Sequence, residues 1–212
     1  STIEGGMVST NDKRFYNISL GLRSHGWARD MQKAFRKKLE KKYKVDEFKS
    51  LYTFYYSGFN FRSSDLNATL GVEQLKKINK FVSKRKKIAK KYIKFFNRFS
   101  NIINFRSFES GKYSSWHLFI ILIDFEKINK KKGDLLNYLL KNNIIAQQHY
   151  IPIYKYSFYK SLRKKKFDGA EKYYKKAVSL PIYFNLTIKQ VDYIKIQLYK
   201  FFKRYESQFS PK

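Results

Sequence analysis

Asn60 and Arg62 are the residues of this chain best placed to grip an anion. An amide donates uncharged hydrogen bonds, and a guanidinium adds a planar fork of charged donors. They alternate with Phe59 and Phe61, so an extended segment turns both polar groups to one side and both rings to the other. Gly58 precedes them and loosens the loop. Ser63 and Ser64 follow as helix N-caps, with Asp65 in the first turn, where a carboxylate suits the helix dipole. The pair thus lies just ahead of a helix N-terminus, where backbone N–H groups attract anions. Spacing alone leaves a second reading open, a loop asparagine and a surface arginine that satisfy only local hydrogen bonds.

The other candidates are histidines. His25 sits in the polar stretch Arg23–Asp30, His117 follows Trp116, and His149 precedes Tyr150. None pairs at metal-ligand spacing, and no metal is expected. With no cysteine in 212 residues, thiolate chemistry, disulfides and cysteine–zinc sites are excluded. The chain carries 46 basic and 16 acidic residues, a net charge of +30. Such a charge raises a nucleic-acid or anionic-surface binder as a reading. The excess is mostly lysine spread along the whole chain, and Lys, Asn, Ile, Phe and Tyr are abundant together, as an AT-rich coding sequence gives. Runs such as Lys130–Lys132 and Lys164–Lys166 read as solvated faces. Nucleic acid is therefore not the expected partner. No apolar run approaches the roughly 20 residues of a membrane span, so no membrane partner is expected, and the expected compartment is the cytoplasm.

These residues need elements to position them. Met7–Thr10 reads as a strand after a Gly-Gly turn. Asn11-Asp12 caps a helix over Lys13–Leu22, and Arg23–Asp30 is a loop. Lys33–Leu51 reads as a mobile or helical charged insertion. From Ser64, Leu66, Leu70, Leu75, Ile78, Phe81, Ile88, Tyr92, Phe95 and Phe99 keep helical spacing, predicting two consecutive helices or one bent one. Arg98–Lys112 is a connection. Ser115–Phe125 is a strand buried on both faces, Asp134–Asn142 a helix with Leu135, Leu136, Leu139 and Leu140 inward, and Ile144–His149 a second strand. Ala170–Val178 reads as a helix. Thr187 and Gln190 form a capping box for a last helix with Val191, Ile194, Leu198, Phe201 and Phe202 on its apolar face. Helices alternating with strands make an α/β domain.

An ordered series of short motifs runs almost end to end: Glu4-Gly5-Gly6-Met7, Leu22-Arg23-Ser24-His25-Gly26, Gly58-Phe59-Asn60-Phe61-Arg62 and Ala68-Thr69-Leu70-Gly71 with Gln74-Leu75. Ser115-Trp116-His117-Leu118, Gln148-His149-Tyr150-Ile151-Pro152 and Ala177-Val178-Ser179-Leu180-Pro181 complete it. Together they resemble the C-terminal half of the DegT/DnrJ/StrS family of pyridoxal-phosphate-dependent nucleotide-sugar aminotransferases. The resemblance implies the fold-type-I aminotransferase architecture. Residues 1–63 would close the large cofactor domain, with the charged insertion at about 33–51, and residues 64–212 would form the small α/β domain. It implies pyridoxal 5'-phosphate as cofactor, a nucleotide sugar and an amino-acid donor (glutamate) as substrates, and a homodimer sharing its sites. Asn60 would reach the cofactor phosphate of the partner subunit, and Arg62, the other cofactor-binding candidate, would lie nearby, placed for phosphate or substrate. His149 and His25, with Gly26, would face the substrate, while Trp116 and His117 pack. The family's cofactor-linking lysine falls before Ser1, so no catalytic residue is expected in this chain, and the chain alone is expected to be inactive. Arg23-Ser24-His25-Gly26-Trp27 with Arg29 also resembles the family's nucleotide-sugar 3-dehydratases, in which a histidine replaces that lysine.

Overall fold

A computed structural model describes residues 2–107, 109–164 and 167–205. Lys165 and Lys166, part of one expected solvated run, lie outside the described residues. The chain divides after Lys77 into two compact units.

The first unit opens without the expected strand at Met7–Thr10. Met7 and Val8 are 91% and 68% exposed, and no strand among the described residues pairs with them. Helix α1 (Lys13–Arg23) is capped by Asp12, whose carboxylate accepts from the Arg14 and Phe15 amides at 2.7 and 3.1 Å. The charged insertion is helical: α2 (Lys33–Tyr43) and α3 (Glu47–Ser50). Its buried apolar residue Leu39 packs with Ala28, Met31, Phe35, Tyr55 and Tyr56. Asn17 is 1% exposed and ties the layers together. Its amide donates to the Lys13 carbonyl at 2.7 Å and accepts the Gln32 backbone N–H at 2.7 Å.

Helix α4 (Asp65–Phe96) is one uninterrupted helix of 32 residues that contains the unit boundary. Ser64 caps it, its hydroxyl accepting from the Asn67 amide at 3.3 Å. Periodicity fits the whole run, but burial does not. Leu66 and Leu75 are 79% and 68% exposed, whereas Ile88, Tyr92 and Phe96 are fully covered. The spacing defines the helix, and only the second half is buried.

In the second unit that half lies against a three-stranded antiparallel sheet in the order β1 (Ile103–Phe105), β2 (Phe119–Ile123), β3 (Ala177–Leu180). In register, Ile103 faces Ile123, and Ile121 faces Val178. Helices α5 (Lys132–Lys141), α6 (Asp168–Lys176) and α7 (Ile188–Phe202) complete the unit. The core joins Tyr92, Phe96 and Phe99 to Phe119, Ile121, Leu135, Val191, Leu198 and Phe202. The Thr187–Gln190 capping box forms as expected.

Several expectations change here. The strand expected over Ser115–Phe125 is confined to β2, and its faces alternate between buried and half-buried. Leu140 is 60% exposed, because the narrow stripe Leu135–Leu139 already fills the contact. Strand β1 lies inside the supposed connection, since three residues are too short to show a period. The helix expected to reach Val178 ends at Lys176, and Ala177 turns extended at φ −75°, ψ 129°. All four β3 residues are buried, so ladder bonds to β2 outweigh continuation of the helix. Ile144–His149 is not a strand: only Gln147 bridges, pairing with Ser179. Ile145 turns outward at 68% exposure, and no second pair forms beside it.

Candidate functional site

The loop carrying Asn60 is built on the end of α1. The Phe59 and Phe61 amides donate to the Leu22 and Arg23 carbonyls at 2.7 and 2.9 Å, and the His25 amide donates to the Phe59 carbonyl at 2.8 Å. Asn60 thereby bridges Ser24, which is 2% exposed. The segment is extended, and the Phe59 and Phe61 rings stack at 4.8 Å with 4° between their planes. Both rings thus share one side, and alternation gives Asn60 and Arg62 the other. Asn60 and Arg62 are exposed, and neither side chain has a hydrogen-bond or ion-pair partner among the described residues.

Gly58 does not loosen this loop. A Cβ there would stand 2.1 Å from the Gly26 amide nitrogen. Gly26 has φ +92°, and its Cβ would meet the Tyr56 carbonyl oxygen at 1.9 Å. Two backbones cross where neither can carry a side chain, and that crossing fixes the loop. His25 takes φ 58° at this crossing, half-buried, with its ring 5.6 Å from Trp27.

His149 lies in the second unit, on the segment bridged to β3. Gln147 and Ser179 exchange backbone hydrogen bonds at 3.0 and 2.7 Å, and His149 Nδ1 lies 2.7 Å from the Ser179 hydroxyl. Ser179 is 5% exposed, so the hydroxyl is a fixed post that orients the half-buried imidazole. His149 opens onto a cavity of about 270 Å³ shared with His117, Gln147, Ser179 and Tyr183, with Leu118, Ile145 and Ile182 as its apolar wall. Trp116 packs as expected, 3% exposed and 5.8 Å from Phe119. His117 instead is exposed at the cavity, a position the strand pattern gave no sign of. Below the cavity the buried Tyr92 hydroxyl donates to the Pro181 carbonyl at 3.0 Å. Burial pushes that phenol far above its ordinary range, and Tyr183 adds to the effect.

The sequence profile of the DegT/DnrJ/EryC1/StrS aminotransferase family matches residues 1–198. The chain belongs to this family. Its aminotransferases are pyridoxal-phosphate-dependent. The chain is 32% identical over 214 residues to the UDP-4-amino-4,6-dideoxy-N-acetyl-beta-L-altrosamine transaminase of Campylobacter jejuni, covering 96% of this chain and 50% of that one. The solved Helicobacter pylori PseC, an aminotransferase involved in the biosynthesis of pseudoaminic acid, superposes with a TM-score of 0.67 at 29% identity, over 92% of this chain and 48% of that one. A shorter match, 36% identical over 93 residues, joins 44% of this chain to 24% of the GDP-4-keto-6-deoxy-D-mannose 3-dehydratase of Escherichia coli O55:H7. The chain spans about half the length of the curated relatives it matches.

The fold is that of the sugar aminotransferases, as the motif series implied. Among the described residues no group of His, Asp or Glu is arranged to hold a metal ion, and no helix is long and apolar enough to cross a membrane. Asn60 and Arg62 fit a phosphate: their donors are of the right type, the backbone beneath them is pinned, and no side chain among the described residues pairs with them.

Proposed function

We propose that this chain is the phosphate-gripping and substrate-facing part of a cytoplasmic sugar aminotransferase for cell-surface polysaccharide. The enzyme passes an amino group from an amino acid, glutamate, to a ketosugar nucleotide. One observation carries the reading: the Asn60–Arg62 pair stands on a hydrogen-bonded, glycine-locked ribbon with no partner of its own among the described residues. Residues 1–63 belong to the large domain and residues 64–212 to the small one. Pyridoxal 5'-phosphate, when bound, supplies the electron sink of the reaction.

Asn60 donates an amide N–H to the cofactor phosphate, and Arg62 adds charge beside it; in a homodimer both reach the partner's site. His25 and Gly26 form the turn from which that grip is built. His149, oriented by Ser179, offers a ring nitrogen to a sugar hydroxyl in the cavity it shares with His117 and Gln147. None of these residues is asked to move a proton of the reaction.

The protein encoded by the complete open reading frame tests this with ketosugar nucleotides and glutamate. A hydrogen bond to an ionised group contributes about 1.5–3 kcal/mol, so Asn60→Ala should weaken cofactor binding about ten- to a hundredfold. Mixing that variant with one lacking the cofactor lysine should restore part of the activity, because one site of each mixed dimer carries neither lesion. No recovery, with subunit exchange shown, removes the cross-subunit role of Asn60. The 3-dehydratase reading is favoured by the 36% identity over 93 residues. Histidine at the lysine position, with loss of a hydroxyl from the sugar and no amine transfer, would establish it instead.

A further inference from the structure

We propose that Arg29, held over the rings of Trp27 and Tyr52, anchors the nucleoside diphosphate part of the substrate. The inference rests on the nucleotide-sugar reading and adds to it a location and a set of residues.

Arg29 lies 5.3 Å from the Trp27 ring centroid and 5.9 Å from that of Tyr52. Two aromatic faces hold the guanidinium in place, so little side-chain freedom remains to be lost on binding. Two nearby acids in the sequence have cations of their own. Asp30 pairs with Arg23 at 3.1 Å, and Glu47 lies 3.7 Å from Arg36. Arg29 itself is exposed and makes no hydrogen bond or ion pair among the described residues. A fixed, uncompensated guanidinium fork matches a phosphate bidentately.

The rings continue beyond it. Trp27 lies 5.5 Å from Phe54 and bridges it through the backbone. Tyr52 and Phe54 are 61% and 58% exposed, so their faces offer a stacking platform. Trp27 is half-buried, its indole N–H covered and without a hydrogen-bond partner among the described residues. Uncharged sugars stack on rings but have no use for a bare cation, and inorganic phosphate has no use for exposed rings. A planar base joined to a diphosphate uses both. Through Ser24 the same ribbon continues to Asn60, so one folded segment presents both groups of anion donors.

Calorimetry on the protein from the complete open reading frame, with UDP, GDP, inorganic pyrophosphate and uridine, separates the parts. Arg29→Gln should weaken UDP and pyrophosphate about tenfold or more and leave uridine unchanged. Arg29→Lys should fall between, since it keeps the charge and loses the fork. Base stacking should quench tryptophan fluorescence on UDP addition, and Trp27→Phe should remove that change. Unchanged UDP affinity in a folded Arg29→Gln protein overturns the proposal, as does quenching that survives Trp27→Phe. Equal affinity for a random single-stranded DNA oligonucleotide overturns it in favour of a nucleic-acid surface. Sugar amination with UDP affinity insensitive to Arg29 removes this site alone. Arg29-dependent UDP binding in a protein that aminates no ketosugar removes the aminotransferase reading and keeps the site.

Discussion

Adding one methyl group at Gly26 should dismantle the ribbon that holds Asn60 and Arg62. A Cβ at Gly26 would lie 1.9 Å from the Tyr56 carbonyl oxygen and 2.8 Å from its carbon, and both are backbone atoms that no side-chain rotation moves aside. The φ of +92° adds strain of about 1–3 kcal/mol for a non-glycine residue. The overlap adds about 1–3 kcal/mol, as overpacking does. Reduced freedom of the unfolded chain returns about 0.4–1 kcal/mol. With each contribution at mid-range, the net cost of Gly26→Ala is about 3 kcal/mol, which corresponds to roughly a hundred- to several hundredfold change in local opening. Amide hydrogen exchange reads this directly. The His25, Tyr55, Phe59 and Phe61 amides, which donate across the ribbon, should exchange faster by that factor. Gly133→Ala is the control, since nothing lies within 4 Å of a Cβ in α5. It should stabilise its helix by about 0.5–1 kcal/mol and leave the ribbon unchanged. If Gly26→Ala and Gly133→Ala behave alike, close backbone approach is not what fixes the loop.

Tyr92→Phe should cost about 0.5–1.5 kcal/mol at neutral pH, measured by chemical denaturation, through loss of the bond to the Pro181 carbonyl. Because the folded-state pKa of Tyr92 is raised, its contribution is fully present below the unfolded value of about 10 and is lost as pH rises toward the folded value. Stability should therefore fall above about pH 10 more steeply in the parent than in Tyr92→Phe, and equal slopes would refute the assignment. Ser179→Ala should cost about 0.5–1.5 kcal/mol and release the His149 ring. Imidazole nitrogen chemical shifts that stay at the parent values would show that Ser179 does not orient it.

Local signals in the sequence determined the helices and part of the site. Asp12, Ser64 and the Thr187–Gln190 pair act through atoms a few residues away, so their caps are readable without any fold. The alternation of Asn60 and Arg62 with Phe59 and Phe61 likewise follows from backbone geometry alone. What the tertiary structure decided is everything that depends on a distant partner. Strand β3 exists because Val178 and its neighbours find β2, and a helical reading of Ala170–Val178 is locally just as good. Leu66 and Leu75 carry the same helical period as Ile88 and Tyr92, and only packing separates the exposed half of α4 from the buried one. The glycine crossing joins residues 26 and 58, the Ser179 post reaches His149 across 30 positions of chain, and Arg29 finds Tyr52 across the charged insertion. Chemistry of this kind is written in residue types, but its geometry is set by contacts that no local window of sequence contains.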